Sequence, residues 1–195
     1  ASQLLREFAD LTGYPVTLTL MGLGAFPATN KNFLGMLGMH GTYEANLAMH
    51  QCDVMLNIGA RFDDRVTGRL ADFSPSSKKI HIDIDPSSIN KNVKVDLPII
   101  GDAASILEQM IRVWKEKGYK RNDRILSEWW KKIEVWRDKK CLEFKQDGKI
   151  IKPQHAIHRL FEKTQSKDAY ITTEVGQHQM WAAQYYGFDQ PNRWM

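Results

Sequence analysis

Residues 53–86 read DVMLNIGARFDDRVTGRLADFSPSSKKIHIDIDP, and their reading decides the fold. The apolar run DVMLNIGA predicts a buried strand, and KKIHIDIDP predicts another, stopped by Pro86. At the carboxyl end of the first strand, Arg61-Phe62-Asp63-Asp64-Arg65 places four charges in five residues, more than a strand needs to end. Along KIHIDID, isoleucines 80, 82 and 84 fall on one face and His81, Asp83 and Asp85 on the other. The acids therefore gather toward the strand's end. There they can accept hydrogen bonds from ribose or ribityl hydroxyls, or equally cap the Asp-Pro-Ser-Ser turn.

Upstream, Leu4, Leu5, Phe8 and Ala9 recur at helical spacing over Ser2 to Leu11. Thr12-Gly13-Tyr14-Pro15 breaks that helix, and VTLTLM reads as a strand. Gly22 to Gly41 reads as loop, and Thr42 to His50 as a helix. Downstream, Leu97 to Ile100 predicts a short strand, and Asp102 stands where it can cap a helix running from Ala103 to about Trp114. Strands with near-continuous apolar runs, alternating with helices, predict the α/β class: a Rossmann-like parallel sheet with helices on both faces. Ligands of such sheets collect beyond the carboxyl ends of the strands. Arg61/Asp64, Asp83/Asp85 and Asp102, at three successive strand ends, then form one polar rim suited to a long ligand. No G-x-G-x-x-G loop is present, which speaks against an ordinary NAD-binding half. The glycines of MGLGAF and MLGMHG would let backbone approach a flat ligand closely.

From Gly118 to Gly148 the pattern predicts one long basic amphipathic helix, with Leu126, Trp129, Trp130, Ile133 and Trp136 on its apolar side, connecting two domains. Pro153 then suits the first turn of a helix, PQHAIHRLFEKT, followed by a strand DAYITTEVG and a helix HQMWAAQYY, the start of a second α/β unit. The net charge is +4, and Arg112 to Lys152 alone holds 14 basic against 7 acidic residues. Because the signs are interleaved on a helix with an apolar face, no nucleic-acid partner is predicted. No apolar run approaches the roughly 20 residues needed to span a bilayer. Ala1-Ser2-Gln3 does not begin a signal peptide. Cys52 and Cys141 are not in ligand spacing, and a reducing cytoplasm is the simplest setting. His155 and His158 have no partner of matching spacing, so no metal site is predicted. His178 follows a strand and opens a helix beside Gly176 and Gln177, a place where a diphosphate meets amide donors. A chain that starts on helix and stops at Pro191-Asn192-Arg193-Trp194-Met195 reads as a fragment of something longer.

MGLGAFP, MLGMHGTYEANLAMH, GARFDDRVTG, HIDIDPSSINKN and EVGQHQMWAAQYY together resemble the catalytic subunits of the acetohydroxyacid synthase (acetolactate synthase) family over nearly the whole chain, except around Gly118 to Lys152. The resemblance implies residues 1–117 as a central FAD-binding domain whose first glycine-rich strand precedes Ala1, 118–152 as an interdomain linker helix, and 153–195 as the start of a thiamine-diphosphate-binding domain. It implies that the whole protein joins two 2-ketoacids, pyruvate with a second pyruvate or with 2-ketobutyrate, using thiamine diphosphate, Mg2+ and a largely structural FAD. It further implies a homodimer or tetramer and a possible small regulatory subunit. Related readings are another thiamine-dependent carboligase or oxidase such as a glyoxylate carboligase, or a non-catalytic nucleotide-binding module.

By the same resemblance, FAD touches Leu20 and Met21, then Gly38, Met39 and His40, then Gly59, Ala60, Arg61, Asp64 and Val66, with Asp83, Ile84, Asp102 and Ala103 at its ribose and adenine end. Arg65 and Met39 line the substrate channel, with Arg65 recognising the second ketoacid. A guanidinium suits a planar carboxylate through two parallel hydrogen bonds. The alternative reading of Arg65 is a surface ion pair with Asp64, worth little energetically. Val175, Gln177, His178 and Met180 resemble residues beside thiamine diphosphate. The glutamate that activates thiamine is implied upstream of Ala1, and the Gly-Asp-Gly and Asn motif for metal and diphosphate beyond Met195.

Overall fold

The computed structural model describes residues 1–195. Helix α1 (Ser2–Thr12) ends where Gly13, at φ 71°, turns left-handed and returns its N–H to the Ala9 carbonyl. Strand β1 (Val16–Leu18) follows, pairing in parallel with β2 (Phe33–Met36). Helix α2 (Tyr43–Gln51) is capped by Thr42, whose hydroxyl accepts from the Ala45 N–H. Next come β3 (Val54–Ile58), the single turn α3 (Asp64–Thr67), β4 (Lys78–Asp83), β5 (Leu97–Ile100) and α4 (Ala103–Glu116). Strands β3, β4 and β5 form a parallel sheet in that order. The chain continues through α5 (Asp123–Arg137), α6 (Pro153–Thr164) and α7 (Gln177–Tyr185).

The α/β class read from the sequence holds, and several local expectations do not. The sheet is in two pieces, β1-β2 and β3-β4-β5, bridged by α1. Leu5 and Ala9 of α1 pack with Leu18 of the first piece, and Phe8 packs with Leu107 and Ile111 of α4 over Leu56 and Ile58 of the second. As a consequence β3 is an edge strand, and Val54, expected in a buried strand, is half exposed. VTLTLM is strand only to Leu18, because the chain turns into a 3-10 segment at Leu20–Gly22. β2 lies inside the stretch that reads as loop. Its turn-rich composition hides a strand that exists because β1 offers a partner: Val16 donates to the Asn32 carbonyl and Leu37 to that of Leu18. DAYITTEVG forms no strand beyond a single bridge of Ile171 with Trp194, having no neighbouring strand to extend along.

The linker expectation also changes. α5 covers 15 residues rather than the whole of 118–148, and its last turn closes where Lys140 adopts φ 47°. Its apolar stripe runs out at Trp136, and burial of such a stripe is what sustains a helix in a protein. Nor does α5 span open space. Ile133 is fully buried against Leu34, Ala45 and Ala48, with Trp129, Trp130 and Trp136 around it. Trp130 Nε1 donates to the Gly13 carbonyl at 3.0 Å, and Arg137 donates to the carbonyls of Lys31 and Phe33. The residues expected to begin a second unit pack directly on the first. Ala182, Ala183, Tyr186, Phe188 and Trp194 share one cluster with Leu18, Leu23, Phe26 and Met36.

Candidate ligand site at the strand ends

Parallel pairing puts the carboxyl ends of β3, β4 and β5 side by side: Ile58 lies opposite Ile82, and Asp83 opposite Ile100. Gly59 donates to the Ile82 carbonyl and Gly101 to that of Asp83, so both chains leave the sheet at one level. The expected FAD residues Gly59, Ala60, Arg61, Asp64, Asp83, Ile84, Asp102 and Ala103 therefore share one edge of the molecule. Gly59 has φ 70°, and a Cβ there would meet nothing within 4 Å, so its surface is open. Ile84, just after β4, is 71% exposed, and Met21, in the 3-10 segment after β1, is 75% exposed.

The acids behave differently from one another. Asp102 accepts from the Ser105 N–H at 2.9 Å, the capping geometry, and that bond holds its carboxyl below the usual range. Asp85 caps the turn at Pro86–Ser88 through the hydroxyl and N–H of Ser87, which lower its pKa likewise. Asp83 is buried at the end of β4. One oxygen accepts from the Asp85 N–H at 2.9 Å, and the other stands 3.6 Å from His81 Nε2. The face of β4 that reads as polar is in fact covered, because segment 61–77 folds back over it.

The loop MLGMHG meets the charged stretch directly. Met39 N–H donates to the Arg65 carbonyl at 2.7 Å, which joins the two expected channel residues through their backbones. Gly38, at φ 96°, sits so close that a Cβ would fall 2.4 Å from that carbonyl oxygen. Asn46 holds Gly38 from the other side, accepting from its N–H at 2.7 Å and donating to its carbonyl at 2.9 Å. Beside this junction an open cleft of about 520 Å³ is lined by Gly38, Met39, Asn46, Asp64, Arg65 and Val66 among others. The Met39 side chain is exposed, as is Arg65, whose guanidinium meets its neighbour Asp64 at 2.9 Å. That is the surface pair read from the residues, and an exposed pair of this kind holds its partners weakly. Arg61 pairs with Asp63 at 3.3 Å in the same way. His40 is exposed, Val66 and Leu20 partly so, and the His40 carbonyl accepts from Gln184 of α7 at 2.9 Å.

Val175, Gln177 and His178 are exposed and Met180 partly buried, all at the amino end of α7, where Gly176 is the cap residue and no side chain caps the helix. Gln184, in the same helix, is the direct link between that end of the chain and the Met39–His40 loop. Sequence reading missed Gln184, Asn46, Asn57 and Asn92. Asn57 donates to the Ala60 carbonyl at 2.6 Å, and Asn92 to the carbonyls of Arg61 and Phe62. Amides that brace backbone leave no periodic trace, although Asn92 lies within the quoted HIDIDPSSINKN. No group of three or more His, Cys, Asp or Glu side chains stands ready to hold a metal, and no helix is long and apolar enough to cross a membrane.

The family model described as "Thiamine pyrophosphate enzyme, central domain" matches residues 1–110, from α1 into α4. The chain belongs to that family. It is 50% identical over 194 residues to the acetolactate synthase large subunit of Haemophilus influenzae, covering 100% of this chain and 34% of that protein. To the acetolactate synthase isozyme 3 large subunit of Escherichia coli it is 50% identical over 193 residues, 99% of this chain and 33% of the relative. To the chloroplastic acetolactate synthase 2 of Nicotiana tabacum it is 46% identical over 196 residues, 100% of this chain and 29% of the relative. The chain thus spans about a third of the length of the curated relatives it matches. As a member of this family it carries the strand-end rim and the Gly38–Arg65 junction within or directly beside the matched residues.

Proposed function

We propose that the whole protein is an acetolactate synthase large subunit, condensing two pyruvates, or pyruvate and 2-ketobutyrate, to 2-acetohydroxyacids for branched-chain amino acid biosynthesis in the cytoplasm. The observation that carries the reading is the junction of MLGMHG with GARFDDRVTG, where Met39 and Arg65 share a backbone hydrogen bond at the mouth of an open cleft. Identity of about half to acetolactate synthase large subunits along the full chain supports it.

The rim fits FAD. Open glycine backbone at Gly59, outward apolar Met21 and Ile84, and the exposed carboxylate of Asp102 suit a long ligand with a flat apolar ring at one end and hydroxyls at the other. In this reading Leu20, Met21, Gly38, Met39 and His40 hold the ring end, and Gly59, Ala60, Arg61, Asp64 and Val66 follow the ribityl and diphosphate. Asp83, Ile84, Asp102 and Ala103 meet the adenosine. Thiamine diphosphate, when bound, supplies the electron sink for decarboxylation of the first pyruvate. Val175, Gln177, His178 and Met180 flank it, and Mg2+ is held outside this chain. Arg65 leaves its weak pair with Asp64 to take the second ketoacid's carboxylate through both guanidinium nitrogens. Met39 covers the channel's apolar side and excludes water. Residues 1–117 are read as the FAD domain, 118–152 as the connection and 153–195 as the entry into the thiamine diphosphate domain. The subunit assembles as a homodimer or tetramer with a possible small regulatory partner.

The test is acetolactate formation by the purified full-length protein with pyruvate, thiamine diphosphate, Mg2+ and FAD, alongside the flavin content after gel filtration. Acetolactate with retained flavin supports the reading. A full-length protein that retains flavin but releases only acetaldehyde, or makes no product, overturns it.

A further inference from the structure

Segment 61–77 carries Arg65 from β3 to β4 and lies on the face of β4 that bears Lys79, His81 and Asp83. All three are buried, and His81 has no exposed surface. Burying an ammonium or an imidazole is costly unless its polar atoms are matched. Lys79 forms no ion pair. Its Nζ instead donates to the Ser74 carbonyl at 2.8 Å and the Ser77 carbonyl at 3.2 Å. His81 has no hydrogen bond at either ring nitrogen, and it meets the Phe62 ring edge-on at 5.1 Å between centroids.

These contacts fall at particular places. Within segment 61–77, two non-glycine residues have positive φ, Phe62 at 54° and Ser74 at 43°. Such conformations persist where the surroundings over-determine them. Phe62 is the residue that His81 touches, and Ser74 is the residue whose carbonyl Lys79 holds. Phe62 and Phe73 also meet edge-on at 5.6 Å, which closes the segment across its base, while Asn92 donates to the carbonyls of Arg61 and Phe62. The polar group facing His81 is the Asp83 carboxylate, 3.6 Å from Nε2 and beyond hydrogen-bond distance, so the contact that seats the imidazole most closely against segment 61–77 is the Phe62 ring.

We infer that Lys79 and His81 are positioning residues for the Arg61–Arg65 stretch. Lys79 pins the downstream end of the segment at Ser74, and His81 seats its upstream end through Phe62. Arg65 is thereby presented from clamped backbone, and the Arg65 carbonyl stays in place to receive the Met39 N–H. The clamp stands on the geometry alone; its effect on the second ketoacid rests on the function proposed above.

The experiment uses the full-length protein with Lys79→Met and His81→Leu. Hydrogen exchange followed by mass spectrometry is expected to quicken by about ten- to a hundredfold in peptides covering residues 61–77, the scale of a lost bond to a charged group. Peptides from α1 and α4 are expected to stay at the wild-type rate. If Lys79→Met does not yield folded protein, Lys79→Gln retains one neutral donor and is expected to show a smaller increase in the same peptides. Wild-type exchange across 61–77 in the folded Lys79 and His81 variants overturns the clamp, as does a uniform increase throughout the chain.

The second arm is kinetic. Lys79→Met is expected to raise KM for the second ketoacid by about tenfold, with acetaldehyde release affected less, and this effect is expected to vanish in an Arg65→Ala background. Fully additive effects of the two substitutions would leave Lys79 with no positioning role. If the wild-type protein makes no acetolactate, the proposed function falls, and the exchange measurement still decides whether the clamp exists.

Discussion

Gly38→Ala separates local backbone strain from the closeness of the Gly38–Arg65 junction, because Gly59→Ala provides a matched control. Both glycines have positive φ, 96° at Gly38 and 70° at Gly59. A side chain in a left-handed conformation costs roughly 1–2 kcal/mol, and that much is common to the two variants. At Gly59 a new methyl meets nothing within 4 Å. At Gly38 it would lie 2.4 Å from the Arg65 carbonyl oxygen and 2.9 Å from Val66 Cα, both backbone atoms that no rotamer change can move aside. Relief requires α3 to shift away, which breaks the bond from Met39 N–H to the Arg65 carbonyl and strains the two bonds from Asn46. Overpacking of this kind costs about 1–3 kcal/mol more. Gly38→Ala is therefore expected to lower stability by about 2–5 kcal/mol, against about 1–2 kcal/mol for Gly59→Ala. Urea unfolding followed by tryptophan fluorescence measures both, and KM for the second ketoacid in the full-length protein reports the displaced Arg65. Equal midpoints for the two variants, with unchanged slope, would refute the steric argument and show that the loop absorbs a methyl by moving as a unit.

Arg65→Lys in the full-length protein keeps the charge and loses the two-pronged contact. Acetolactate formation is expected to fall by about ten- to a hundredfold relative to acetaldehyde release, and an equal fall in both products would return Arg65 to its surface pair with Asp64. Ile133→Ala removes a fully buried side chain between α5 and α2. It is expected to destabilise the protein by about 2–4 kcal/mol in urea unfolding, whereas a loosely tethered α5 would lose almost nothing. Asp85, Asp96 and Asp102 have lowered pKa values because they accept hydrogen bonds from Ser87, from Lys79 and Lys78, and from Ser105 respectively. Their stabilisation is present above the ordinary carboxylate pKa of about 4 and is lost as pH falls through the lower folded-state values. Asp102→Asn keeps a capping oxygen but not the titrating group, so its stability is expected to decline less steeply than wild type below pH of about 4. An unchanged acid titration of unfolding would remove Asp102 from that account.

Much of this architecture was legible because its causes are local. Thr42 and Asp102 precede their helices as oxygen-bearing caps, Gly13 ends α1 in the one conformation glycine favours, and Ile80 and Ile82 alternate along β4. The same locality made the rim readable, since residues that follow a parallel strand emerge at its carboxyl end whatever the rest of the chain does. Tertiary structure decided what no local pattern contains. β2 hides among turn residues until β1 offers a row of backbone partners, and α5 stops where its buried stripe stops rather than where the charge pattern does. Alternation along β4 placed His81 and Asp83 together on one face but could not say that segment 61–77 would cover it. Asp83 is therefore buried beside His81. Met39 holds the Arg65 carbonyl and Asn92 those of Arg61 and Phe62 from distant points of the sequence, and hydrogen bonds of that kind depend on where the folded backbone passes. Sequence by itself determined the class, the strand ends and the residue types gathered there; the tertiary structure determined which of those side chains face a ligand and which hold the others still.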